Sequence, residues 1–165
     1  MLSVESCLRW YARKLGEDEE LWSLTGLLHD FDYELHPEEH PVWGTRLLES
    51  KGWPSELVRA IASHYEERTG VAPESPLERH LFACDEITGF VAAVSYVRPD
   101  KDVRNVEVKS VVKKLKTPSF AAAVSRKDLA VGADLIGLPL EQHISNVLAA
   151  MSADAEALGL SGTAD

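Results

Sequence analysis

Apolar residues return along this chain every three or four positions, the spacing of one face of a helix. Val4, Cys7, Leu8, Tyr11 and Leu15 form the first such stripe, and Gly16 ends it. Glu17 to Glu20 place acids where a following helix begins, the end at which the helix dipole favours negative charge. That second helix carries Leu21, Leu24, Leu27 and Leu28 into His29 and Asp30. Pro37 is predicted to open a third helix ending near Gly52, and Pro54 a fourth running to about Tyr65. A Gly, Pro and Ser-rich loop, Thr69 to Pro76, precedes a long helix from Leu77 to Val97. Val103 to Val108 reads as a short strand or irregular. Lys109–Lys116 reads as helix ended by Thr117 and Pro118, with Ser119 a cap for a short helix. Lys127–Ile136 and Leu140–Leu158 complete the set. The pattern predicts an all-α protein, one domain over residues 1–160, and a frayed tail over 161–165. There is no repeat and no low-complexity tract.

Several polar residues fall where these stripes demand apolar ones. His64 follows Ala60 and Ile61 by one turn, and His40 shares a face with Trp43, Gly44 and Leu47. Asp85 follows Leu81 and Phe82 inside the most apolar helix, and His29 and Asp30 close another. A buried imidazole or carboxylate is costly unless it is paired or ligates a metal. A single core histidine usually has only a hydrogen bond to explain; five such residues on four helix faces suit a shared cation better. Imidazole and carboxylate without thiolate fit a hydrolytic Mn, Fe, Mg, Co, Ni or Zn site rather than a structural zinc. The adjacent pair His29-Asp30 lets one helix end offer nitrogen and oxygen to one ion while a carboxylate oxygen bridges to another.

Composition narrows the function classes. The 165 residues are 45% hydrophobic and 27% charged, as in a soluble globular domain. No apolar run reaches bilayer length and no signal-peptide pattern opens the sequence, so a cytoplasmic location is expected. Cys7 and Cys84 lie in apolar stretches and read as buried thiols. The net charge of −10 makes the chain a poor general nucleic-acid binder. Nine of the 17 basic residues nevertheless fall between Arg98 and Lys127, opposed there only by Asp100, Asp102 and Glu107. Such a patch suits a small anionic substrate, although charge runs usually mean a solvated face. Lys109, Lys113, Lys116 and Arg126 are the candidates to hold its phosphate.

The segments GLLHDFDYE, EEHPVWGTRLLE, AIASHYEE and LFACDEITGF resemble, in order, the motifs of the HD-domain superfamily, most closely its small HDIG-type hydrolases. The similarity runs roughly from Leu2 to Leu160 and takes in VKSVVKKLK and FAAAVSR. The resemblance implies a helical bundle binding one or two divalent metal ions and hydrolysing a nucleotide or other small phosphoester with a metal-activated water. By motif, His29 and Asp30 are the doublet, His40 and His64 the two further histidines of binuclear members, and Asp85 the distal aspartate. Asp30, His40 and His64 would then also be catalytic. Asp32 and Glu34 read as general-base or supporting groups or as surface acids. His36 is expected near the site, His80 as ordinary and His143 at the surface.

One position departs from the pattern. The family's first histidine precedes a stretch like LSVESCLRW, and this sequence begins at Met1 in that stretch, so the first ligand is missing, through a truncation, a misassigned start or a real loss. The expectation is a loosely held metal or a water in place of that imidazole. The alternative is an HD-fold module that binds a nucleotide or partner without catalysis. A di-iron oxygenase would use a similar but complete ligand set, and a helical protein with a merely hydrogen-bonded polar core is the remaining reading.

Overall fold

In a computed structural model that describes residues 1–162, the chain forms helices joined by turns, with two compact units, Met1–Phe82 and Ala83–Asp165. The described residues contain no helix long and apolar enough to cross a membrane. Residues 163–165 of the expected tail lie outside the described residues; Ser161, at its start, pairs with Asp102 in an antiparallel bridge.

The first unit holds α1 (Leu2–Leu15), α2 (Glu19–Leu28), α3 (Val42–Ser50), α4 (Ser55–Ser63), the short α5 (Glu66–Thr69) and the start of α6 (Pro76–Tyr96). The predicted stripe on α1 is the buried one: Val4, Cys7, Leu8, Tyr11 and Ala12 face inward. Gly16 closes the helix in the left-handed region at φ 74°, where a side chain would be strained. Helix α1 lies on α2, α2 and α3 on α4, and α4 on α5. Leu48, Leu57, Val58 and Ile61 form an apolar cluster against which Leu21, Leu24, Leu28, Phe31 and Trp53 pack. Gly26 is where α1 and α2 touch. A Cβ there would lie 2.8 Å from the backbone N and Cα of Glu5.

The second unit holds the rest of α6, a 3₁₀ turn (Val103–Asn105), α7 (Val108–Leu115), α8 (Arg126–Leu135) and α9 (Leu140–Ala153). Helix α9 packs on the 3₁₀ turn, α7 and α8. Its His143 is fully buried with Nε2 2.9 Å from the Ala83 carbonyl, which corrects its expected place at the surface.

Three boundaries differ from the pattern for local reasons. Helix α3 begins at Val42, not after Pro37, because the residue before a proline avoids the helical region and His40 precedes Pro41. Residues 36–40 instead make turn bonds, including His40 N–H to the His36 carbonyl at 2.8 Å. No helix follows Ser119. The Arg126 guanidinium gathers the carbonyls of Thr117, Phe120, Ala121 and Val124, and the helix cap is Ser125, whose hydroxyl accepts from Asp128 N–H. Helix α9 ends at Ala153, and the chain continues in turns to Gly159 at φ 66°.

Candidate metal centre

Helix α2 starts on Asp18, whose carboxylate accepts from the N–H groups of Glu20 and Leu21 at 3.0 Å each. It ends at Leu28, so His29 is its C-cap. Helix α4 ends in the same way, with His64 as C-cap. The last carbonyls of a helix have no partner within it. In both places the histidine supplies one: His29 Nδ1 donates to the Gly26 carbonyl at 2.8 Å, and His64 Nδ1 to the Ile61 carbonyl at 2.5 Å. Each bond turns the other ring nitrogen, Nε2, away from its helix.

His40 comes from the turn before α3 and is buried. Its Nδ1 donates to Asp32 Oδ1 at 2.7 Å. The loop that carries it is held by Arg68 of α5, which donates to the carbonyls of Pro37 and His40 at 3.0 Å each. His36 stacks on Trp43 at 3.9 Å, and the exposed rings of Tyr33 and Tyr65 lie 5.3 and 6.4 Å from His40.

The three Nε2 atoms converge on Asp30. Its Oδ1 lies 3.3 Å from His40 Nε2 and 3.7 Å from His64 Nε2, while Oδ2 lies 3.3 Å from His29 Nε2. His40 Nε2 and His64 Nε2 are 3.1 Å apart. Since carbonyl and carboxylate oxygens only accept, each Nδ1 carries its ring's proton. When neutral, the imidazoles therefore present lone pairs to one another and to a carboxylate. Such a set needs a cation, either a proton or a metal ion. The electrostatics agree. Burial works to raise the Asp30 carboxyl, but the hydrogen bonds and positive charge that His29 and His64 supply once protonated at Nε2 as well outweigh it and hold that carboxyl well below the ordinary range.

The spacing fits a metal. Ligand atoms about 2.1 Å from one ion stand roughly 3.0–3.5 Å apart. The chosen atoms of Asp30, His40 and His64 all lie within 4.8 Å of one another. Imidazole nitrogen and carboxylate oxygen suit a divalent first-row ion or magnesium. Both cysteines are free, buried thiols.

Of the residues singled out in the sequence, His29, Asp30, His40 and His64 thus come together. Asp85 lies half-buried on α6 in the second unit, where its backbone carbonyl accepts from Thr88 Oγ1 at 3.0 Å. Lys109, Lys113 and Lys116 are exposed in that unit's α7 segment, Lys109 paired with Glu107 at 2.6 Å. Arg126 has its guanidinium committed to loop carbonyls and lies 5.0 Å over Phe90. Glu34 is exposed; His80 is buried between Tyr11 and Trp22. Sequence reasoning left Asp32 open between a supporting group and a surface acid, and it is 1% exposed. Arg68 it missed altogether, because the partners of Arg68 lie 31 and 28 residues away.

Comparison with protein families matches the HD-domain model to residues 1–89. No curated protein and no solved structure matches the chain.

Proposed function

Since this chain belongs to the HD-domain family, we propose that it is a metal-dependent phosphohydrolase acting on a nucleotide or another small phosphoester. The observation that carries the reading is the convergence of three imidazole Nε2 atoms on one carboxylate, each ring's Nδ1 already engaged by the protein. Asp30, His40 and His64 would hold the ion, with His29 on the other carboxylate oxygen and Asp85 added by its motif. A divalent cation bound there would lower the pKa of a coordinated water to near neutrality and take up charge developing on the phosphoryl oxygens.

The chain's own residues do the rest. Asp30 offers one oxygen to His40 and His64 and the other to His29, so a single carboxylate can serve two neighbouring positions. A His40 or His64 not engaged by metal would orient the phosphate or, once protonated at Nε2, pass that proton to the leaving oxygen. The exposed lysines Lys109, Lys113 and Lys116 would attract an anionic substrate. A cytoplasmic location remains part of this reading.

Metal content of the purified protein, followed by turnover of nucleoside monophosphates and aryl phosphates with Mn, Co, Ni and Mg, tests it. Metal-stimulated hydrolysis that Asp30→Ala removes is the expected result. Stoichiometric metal with no turnover of any phosphoester at saturation would instead mark a non-catalytic binding module.

A further inference from the structure

We propose that Asp32 is a positioning residue that keeps His40 in the one tautomer able to bind metal; this rests on the metal-centre reading above. Asp32 is buried, with each carboxylate oxygen on a different task. Oδ1 accepts from His40 Nδ1 at 2.7 Å, and Oδ2 accepts from the backbone N–H of Gly44 at 2.7 Å. Gly44 sits in the first turn of α3, where backbone N–H groups lack partners within the helix and negative charge is favoured. The approach depends on glycine. A Cβ at position 44 would lie 2.7 Å from Asp32 Oδ2 and 2.8 Å from its Cγ.

This separates His40 from the other two histidines. His29 and His64 give their Nδ1 protons to backbone carbonyls of their own helices, which no substitution can turn into donors. The acceptor for His40 is a side chain. Its tautomer is therefore set by the identity of residue 32.

Asparagine at that position has nearly the same shape but one donor end. Its oxygen can face Gly44 or His40, and its NH₂ must face the other. The Gly44 N–H cannot surrender its proton, whereas an imidazole can move its proton between nitrogens. The amide therefore turns its oxygen to Gly44, and His40 accepts at Nδ1 and carries its proton on Nε2. That N–H then donates to His64 Nε2, 3.1 Å away, and two ligand atoms are lost to each other.

The test uses the full chain at about pH 8, where an ordinary imidazole is neutral. Long-range ¹H–¹⁵N spectra of the histidine rings report the tautomer without metal, and calorimetric titration with Zn²⁺ reports affinity. Wild type is expected to show His40 protonated at Nδ1. Asp32→Asn should show the proton on Nε2, keep its helical circular dichroism, and bind Zn²⁺ about 10–100-fold more weakly. Asp32→Ala leaves His40 free to adopt either tautomer, so it should lose less affinity than the isosteric Asn change. A merely structural carboxylate would give the opposite order, since alanine loses both the shape and the helix contact.

A wild-type His40 protonated at Nε2 would overturn the proposal, and this holds even if the variants fail to fold. An Asp32→Asn protein that binds Zn²⁺ as tightly as wild type would overturn it too. Wild type that shows the expected tautomer but takes up no Zn²⁺ would instead sink the metal-centre reading.

Discussion

His40 and His64 face each other Nε2 to Nε2 at 3.1 Å, each with its Nδ1 proton already donated elsewhere. Two lone pairs at that distance are favourable only with a cation between or beside them. His40→Ala and His64→Ala should therefore each weaken Mn²⁺ binding by well over the roughly 10–100-fold cost of losing a ligand's supporting group. Without metal, each loses only a modest part of its stability. Titration calorimetry and denaturant unfolding in chelator separate the two effects. Unchanged Mn²⁺ affinity in both variants would place the ion elsewhere.

Asp30 touches all three imidazoles, and its replacement should be the most damaging to function. Asp30→Ala is expected to abolish phosphoester turnover at any metal concentration. Asp85→Asn, whose assignment rests on the LFACDEITGF motif, should lower metal affinity by about tenfold or more. Equal turnover by wild type and Asp30→Ala would show that hydrolysis arises at another site or from a contaminant.

Gly26→Ala should destabilise the first unit without touching a candidate ligand. The added methyl would lie 2.8 Å from Glu5 backbone atoms and 2.9 Å from the Val4 carbonyl carbon, so α1 and α2 must move apart. Overpacking of this kind costs about 1–3 kcal/mol. Urea unfolding followed by tryptophan fluorescence measures it. The shifted α2 should also displace His29, seen as weaker metal binding.

Glu78 provides a pH-dependent element away from the candidate metal centre. Its carboxylate is buried, and burial alone would raise its pKa. The N–H groups of Glu74 and Ser75 and the Arg59 guanidinium outweigh that and lower it from 4.5. With a folded-state pKa below the unfolded one, the stabilisation is full above 4.5 and is lost as pH falls through the folded value. Glu78→Gln should cost about 1–3 kcal/mol near neutrality, the price of donors left poorly satisfied. The gap from wild type should narrow on acidification below 4.5. A gap constant with pH would mean that the charge contributes nothing.

The helical class, most element boundaries and His29, Asp30, His40 and His64 as candidate site residues can be read from the linear pattern, because helical periodicity makes a polar residue on an apolar stripe conspicuous. Asp32 carries no such mark. It stands among turn residues, and only the return of α3 brings Gly44 and His40 to its two oxygens. The start of α3, the hold of Arg68 on the His40 loop and the burial of His143 likewise depend on partners far along the chain. Periodicity reports which face of a helix avoids water. It cannot report which distant backbone groups a buried side chain will meet, because packing between elements chooses them. Thus the candidate chemistry is legible in the sequence, while the proton positions that would let the histidines act as ligands are decided by the tertiary contacts at each Nδ1.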